Sequence, residues 1–181
     1  MTDQTSRPVC STGHLYHYFI SGDPPALEAI CETGLQPLST FPESERWKTI
    51  EAAQPGVFER LYNEFAAPVL RRPYQNSGVF FTPIDFRRIE GSELAGVPRL
   101  VLPTGGLDPD WCALTYFLNR RRICRKISAS DLEETRRLWP EGLVVEWFGR
   151  DRNRLFYFVP QVACYQPDGV EVRPEYFEPA R

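Results

Sequence analysis

The sequence predicts an α+β fold in which antiparallel β-sheets carry short flanking helices. Its 181 residues correspond to the length of one domain. An aromatic content of 13% favours sheet. The apolar segments after residue 140 follow one another without helices between them, which favours antiparallel strands over a doubly wound parallel sheet.

The start of the chain divides into a tail and an ordered part. Residues 1–13 are polar and lack periodicity, which predicts a flexible N-terminal tail. We expect residues 14–181 to form a single globular domain. Residues 15–20 (LYHYFI) form a compact aromatic and aliphatic run, which predicts the first strand.

Two helices are predicted before residue 70. Asp23 and Pro24 suit the N-cap and first position of a short helix that ends at Gly34. Pro55 lies near the start of a second helix over residues 55–69, because apolar side chains recur there on one face.

The middle of the chain predicts two strands and two further helices. Residues 79–82 and 99–102 are short apolar strand segments. Residues 82–85 (TPID) contain the cap, proline and acidic residue of a helix N-terminus. Residues 108–118 predict a helix, because Asp-Pro opens the segment and apolar side chains recur at helical spacing.

The last third predicts one helix and four strands. Residues 130–133 (SDLE) match a capping box at the start of a short helix. Residues 143–148 and 155–159 predict two strands joined by a turn. Residues 162–165 and 170–173 predict a final hairpin around a Gln-Pro-Asp-Gly turn.

Charge is unevenly distributed along the chain. The formal net charge is −3, which provides no bulk attraction to nucleic acid or to an anionic membrane. Residues 71–154, however, carry 15 basic and 11 acidic side chains, a net charge of +4. Residues 120–126 (RRRICRK) contain five of those bases and could contact phosphate or RNA. The plainer interpretation is a helix end where cations are favoured by the helix dipole.

Cysteine usage and hydropathy predict a cytoplasmic protein without a membrane partner. The five cysteines are odd in number, include no CxxC pair and follow no apolar export signal, which indicates reduced thiols. Cys31 lies in a helical pattern and Cys164 in a strand pattern, where both would pack as small apolar residues. No apolar run approaches the roughly 20 residues that span a bilayer.

Only two histidines are present, and neither predicts a metal site. Cys10, His14 and His17 are spaced Cys-x3-His-x2-His, without the paired short spacings of zinc sites. The plainer interpretation of His17 is a hydrogen-bonded core histidine. The sequence contains no Walker loop, Gly-x-Gly-x-x-Gly, Gly-x-Ser-x-Gly or His-Glu-x-x-His.

Three separated segments nevertheless form a pattern. The first segment is residues 15–17 (LYH), followed by a short helix and residues 34–37 (GLQP). The second is residues 78–82 (GVFFT), and the third is residues 153–162 (NRLFYFVPQV). In this order they resemble the ADP-ribosyltransferase-like superfamily. That family has a hydrophobic-aromatic-His strand followed by Gly-Leu-x-Pro. Its second strand reads Gly-hydrophobic-Tyr-Phe-Thr, and its third begins Asn-Glu. Here Phe80 replaces the tyrosine, and Arg154 stands where the glutamate is expected.

The resemblance implies an α+β fold and a cleft for NAD or a related nucleotide. It implies that His17 hydrogen-bonds a ribose hydroxyl and that Phe80 stacks on the nicotinamide ring. Tyr16, Gly78 and Thr82 complete the implied cofactor-binding set.

The resemblance also implies three catalytic positions, His17, Glu146 and Arg154. The family glutamate stabilises an oxocarbenium-like transition state, which an arginine would oppose. Glu146 could take that role, because it would lie opposite Tyr157 across the predicted turn. Alternatively the site handles phosphate, as in the RNA 2′-phosphotransferase branch, whose Gly-His-Ser and Arg-x-His-Ile-His elements are absent here. A third alternative is the fold without catalysis.

Two functions follow from these observations. The first is a nucleotide-binding, ADP-ribosyltransferase-like protein that transfers ADP-ribose or a phosphate to a protein or nucleic acid acceptor. The second is a non-catalytic module that binds a protein or RNA through residues 120–126. A fold resemblance alone does not decide between them.

Overall fold

Helices and two antiparallel sheets make up the structure, so the α+β class is confirmed. The computed structural model describes residues 13–20, 27–89, 91–118, 121–138 and 160–180. Outside these ranges lie residues 1–12 of the tail predicted over 1–13, the cap at residues 23–24 and the two strands predicted within residues 143–159. Glu146 and Arg154 also lie outside them.

Seven strands form the two sheets of the described chain. The strands are β1 (His14–Tyr18), β2 (Val79–Phe81), β3 (Arg99–Pro103), β4 (Cys112–Leu118), β5 (Arg121–Lys126), β6 (Gln161–Cys164) and β7 (Phe177–Glu178). The three-stranded sheet has the order β1-β3-β7, and the four-stranded sheet has the order β2-β6-β4-β5. Every strand pair is antiparallel.

The helices of the described chain are short. They are α1 (Leu27–Thr33), α2 (Glu45–Ala53), α3 (Val57–Leu61), α4 (Ala67–Leu70) and α5 (Ala129–Leu138). A π-helical turn, Tyr62–Ala66, connects α3 directly to α4 and places Tyr62 in the core. Ser44 caps α2, because its side chain accepts a hydrogen bond from the Trp47 amide at 3.3 Å.

Each face of β1 packs into a different part of the core. Leu15 is fully buried among the apolar side chains that fill the space between the sheets. Tyr16 and Tyr18 point the other way and pack with Ile84 and Phe86. This is the alternation expected of a strand that is covered on both sides.

A buried ionic network holds the C-terminal strand against β3. The Arg99 guanidinium is almost fully buried and forms an ion pair with Asp85. It also hydrogen-bonds Glu178 of β7 at 2.8 Å and the Tyr18 hydroxyl at 3.0 Å. A buried charge is tolerated when it is paired and hydrogen-bonded on several sides.

Several predicted elements are confirmed. The sequence patterns correctly place the first strand and the short helix before Gly34. They also place the helical region over residues 57–70 and the strands at residues 79–81 and 99–103. Cys31 lies in α1 and Cys164 in β6, as predicted.

The helix predicted over residues 108–118 is wrong. Pro109–Trp111 is a single 3-10 turn, and β4 follows it at once. Cys112, Ala113 and Leu114 are all buried because β4 lies inside the sheet and packs on both faces. A strand that is apolar on both faces loses its period-two signal, so helical spacing appears by coincidence. The helix end expected at residues 120–126 is likewise wrong for its described part, which is strand β5.

Three local predictions also need correction. The turn that follows TPID is a 3-10 turn of three residues, Phe86–Arg88, whose cap Asp85 is also bound by Arg99. The cap of α5 is Ser128, whose hydroxyl accepts from the Asp131 amide at 3.1 Å, two residues before the predicted box. The C-terminal hairpin does not form, because β6 pairs with β2 and β4 while Val170 pairs with Leu35.

Gly78 provides a direct test of this packing. Its φ is +76°, and a Cβ there would lie 2.8 Å from the Tyr165 ring. We therefore expect Gly78→Ala to lower the free energy of unfolding by about 1–3 kcal/mol. Urea denaturation measures the change.

Gly105→Ala is the matched control. Its Cβ would have no neighbour within 4 Å, and its φ lies outside the left-handed region. We expect a change within about 0.5 kcal/mol. Equal effects of the two substitutions would contradict the packing described at Gly78.

Candidate functional site

The two sheets meet where β1 lies beside the end of β2. The Tyr16 amide donates to the Thr82 carbonyl at 2.8 Å, and the Thr82 amide donates back to the Tyr16 carbonyl at 2.9 Å. This isolated bridge brings together two segments that lie 66 positions apart in the sequence. We call the resulting place, which holds His17 and Phe80, the β1–β2 junction.

A hydrogen bond from its imidazole ring holds His17 at this junction. Its Nδ1 lies 2.8 Å from the Phe80 carbonyl oxygen. Because a carbonyl oxygen only accepts, Nδ1 carries the proton. In the neutral ring Nε2 is then left as an acceptor. The ring also packs edge-on against Phe19 and Phe81, with centroid separations of 5.1 and 5.8 Å.

The charge state of His17 follows from its surroundings. Burial lowers the pKa of His17 below its ordinary value of 6.5, the hydrogen bond to Phe80 opposes this, and the positive charge of Arg46 lowers the pKa further. The ring is therefore neutral at pH 7. A neutral imidazole can accept a hydrogen bond from a hydroxyl group, which an imidazolium cannot do.

Phe80 is the side chain of β2 that reaches solvent. Its neighbours Val79 and Phe81 are buried, whereas Phe80 is 36% exposed. The strand alternation therefore turns this ring outward. A half-exposed aromatic ring can stack on a flat heterocycle.

The loop that leads into β2 is tied down by polar contacts. The Asn76 side chain accepts from the Gly78 amide at 2.8 Å and donates to the Tyr165 carbonyl at 3.1 Å. Ser77 and Ser39 each donate a backbone amide to the other's hydroxyl at 2.9 Å. Ser39 follows the GLQP segment after α1, so these contacts tie the chain after that segment to the loop before β2.

Tyr16 and Thr82 join the sheets and have side chains engaged elsewhere. The Tyr16 ring lies on the far face of β1 from His17, with the Arg99 guanidinium 4.6 Å from its centroid. The Thr82 hydroxyl is buried and accepts from the Ile84 amide at 3.2 Å. Their contact with a cofactor remains a prediction.

Part of the third segment also lies next to the junction. Gln161 and Val162 belong to β6, where Val162 is paired with Phe81 and Ala163 with Phe80. Strands β1, β2 and β6 are thus neighbours in that order, and β6 holds the last two residues of the third segment. Glu146 and Arg154, the predicted catalytic pair, fall outside the described residues, so their roles stay predictions.

Sequence reasoning did not select Arg46 or Ser39. Arg46 lies in α2, whose polar sequence was not assigned a site, and its charge acts on His17. Ser39 lies in a 3-10 turn and holds the loop before Gly78. No local pattern marks either residue, because each acts on a strand far away in the chain.

The described part of the basic segment has acidic and aromatic neighbours. Opposite charges and aromatic rings reduce the field that it presents to a partner. Three described cations of β5 each have such a neighbour: Arg122 lies 4.2 Å from the Phe65 ring centroid, Arg125 is paired with Asp131, and Lys126 is paired with Asp110.

Other candidate sites in the described chain are small or absent. A cavity of about 50 Å³ is lined by Leu102, Pro103 and Tyr176 among others, well below the several hundred Å³ of a cofactor pocket. Within the described ranges no three His, Cys, Asp or Glu side chains cluster as metal ligands would. No helix in these ranges has the length and apolar character to cross a membrane.

The fold and the junction define an α+β protein with two antiparallel sheets joined through β1 and β2. Comparison of the chain with protein-family models, with curated proteins and with solved structures found no match.

The pKa of His17 makes the stability of the protein depend on pH. Because this pKa is lower in the folded protein than its ordinary 6.5, the unfolded chain binds more protons as the pH falls through 6.5. We expect the melting temperature to fall between about pH 7.5 and pH 5.5, and His17→Asn to flatten that slope. Differential scanning fluorimetry measures both slopes.

Asparagine at position 17 keeps an N–H donor for the Phe80 carbonyl but does not titrate. An unchanged slope in His17→Asn would contradict a buried neutral His17.

Proposed function

We propose that this protein is an ADP-ribosyltransferase-like protein that binds NAD or a related nucleotide at the β1–β2 junction. The observation that carries the proposal is the 2.8 Å hydrogen bond between His17 Nδ1 and the Phe80 carbonyl. It joins the His17 ring to the main chain of Phe80, and these are the two residues that the family resemblance singles out, although 63 positions separate them.

The residues of the junction suit such a ligand. Nε2 of neutral His17 is an acceptor for a ribose hydroxyl, and the Phe80 carbonyl keeps the ring in the required orientation. The exposed Phe80 ring is suited to stack on nicotinamide or adenine. The Arg46 charge, which acts on His17, favours an anionic ligand nearby.

NAD, when bound, supplies an ADP-ribosyl group on an activated glycosidic bond. The role of this chain is to orient the ribose through His17 and to hold the ring through Phe80. Glu146 is the proposed carboxylate for transfer of ADP-ribose to a protein or nucleic acid. Arg154 is the proposed cation if the transferred group is a phosphate.

The rival function, a protein- or RNA-binding module, receives less support. Among its described side chains, Arg125 and Lys126 are paired with acids and Arg122 lies over an aromatic ring. It also does not account for the contact between His17 and Phe80 at the β1–β2 junction. It remains an outcome of the following experiment.

Calorimetric titration of NAD into the full chain tests the proposal. We expect saturable binding to the wild type and its loss in His17→Ala, because the ribose contact and the fixed ring disappear together. Phe80→Ala should weaken binding up to about tenfold, the worth of one aromatic stack.

His14→Ala and Arg125→Ala are the matched controls, and both should bind as the wild type does. Circular dichroism confirms that each variant is folded. Absence of binding by the wild type at millimolar NAD would overturn the proposal. Binding of single-stranded RNA that is lost in Arg122→Ala and kept in His17→Ala would establish the module instead.

A further inference from the structure

Two cysteines lie opposite each other on the two central strands of the four-stranded sheet. Cys112 of β4 lies directly opposite Cys164 of β6. Both side chains are almost fully buried, at 0% and 1% exposure, and both are free thiols. This pairing does not depend on the function proposed above.

The hydrogen-bond pattern fixes which kind of pair they form. The Tyr165 amide donates to the Trp111 carbonyl at 2.9 Å, so residues 111 and 165 are a hydrogen-bonded pair. Because the two kinds of pair alternate, Cys112 and Cys164 are a non-hydrogen-bonded pair. Such pairs have Cα atoms about 4.5 Å apart, within the roughly 4.4–6.8 Å that a disulfide spans.

The geometry points to a peroxide-responsive dithiol site, in which Cys112 and Cys164 are oxidised to a reversible disulfide by a hydroperoxide. The pairing therefore places the two sulfurs where a disulfide can form between them, and a dithiol can reduce that bond again by thiol–disulfide exchange.

The two sulfurs have different roles. Hydrogen bonds from the Cys112 thiol and from the Gln166 backbone lower the pKa of Cys164, although burial opposes this. The contact with Cys164 and burial raise the pKa of Cys112. The Cys164 thiol donates to the Gln166 side-chain oxygen at 3.0 Å, which gives its proton an acceptor. We assign Cys164 as the sulfur that attacks once deprotonated and Cys112 as the resolving thiol.

The oxidation proceeds in two balanced steps. The Cys164 thiol loses its proton and the thiolate attacks one peroxide oxygen, which forms the S–O bond of a sulfenic acid. The O–O bond breaks, and the other oxygen takes up the proton that Cys164 lost and leaves as water or alcohol. The Cys112 sulfur then attacks the resulting sulfenic acid, the S–O bond breaks, and water leaves with the thiol proton. The peroxide is reduced, and the two thiols are oxidised.

The position of the two cysteines determines how an oxidant reaches them and what the disulfide does to the sheet. Cys112 is the first residue of β4 and Cys164 is the last of β6, so local fraying at these strand ends admits a small oxidant. Cys164 also lies opposite Val79, the residue before Phe80. The disulfide therefore fixes β6, the strand on which β2 rests.

The test uses the full chain and hydrogen peroxide in stepwise excess. After quenching, the protein is alkylated under denaturing conditions and mapped by mass spectrometry. We expect alkylatable cysteines to fall from the five in the sequence to three, with one cross-linked peptide joining Cys112 to Cys164. Dithiothreitol should restore all five.

Two variants sharpen the result. Cys112→Ser should stop at a sulfenic acid on Cys164, which dimedone traps, whereas Cys31→Ser should form the cross-link as the wild type does. The wild-type map alone decides the case if Cys112→Ser does not fold. A cross-link to any other cysteine, or oxidation of Cys31 and Cys124 with Cys112 and Cys164 left reduced, would overturn the inference.

Discussion

Two backbone hydrogen bonds between Tyr16 and Thr82 join the two sheets of this protein, and the arrangement of the site depends on them. They allow β1 to pair with β3 on one side and to meet β2 on the other. The same contact sets His17 beside the Phe80 carbonyl. A ring held in this way by a rigid strand is already oriented before any ligand arrives, which lowers the cost of ordering it on binding.

The surroundings of the junction keep it in place from several directions. The buried Arg99 network anchors β3 and β7 on one side of β1. On the other side, Gly78 allows the Tyr165 ring to close over the start of β2, and Ser39 and Ser77 tie the preceding loop to the segment after α1. Charged groups of β5, by contrast, pair with acids at the surface, where such pairs contribute little to stability.

Local sequence patterns predict elements whose residues are adjacent in the chain. They do not predict elements whose conformation depends on neighbouring strands in the sheet. The strand at His17 and the helix before Gly34 follow from residue types that are adjacent in the sequence. Cys112 and the rest of β4 were misread as helix because a strand buried on both faces carries no alternation. The hydrogen bond of His17 and the charge of Arg46 upon it join distant segments, which one sequence does not reveal.

The arrangement of the junction depends on His17 being a neutral ring with its proton on Nδ1 and its Nε2 left as an acceptor. With only two histidines in the chain, a long-range ¹H–¹⁵N spectrum of the imidazole rings resolves both, and His14→Asn assigns them. We expect the Nδ1–H tautomer at pH 7 and a saturable shift of Nε2 as NAD is added, with His14 unmoved. An Nε2–H tautomer, an imidazolium, or an Nε2 signal that stays in place at saturating NAD would contradict the account.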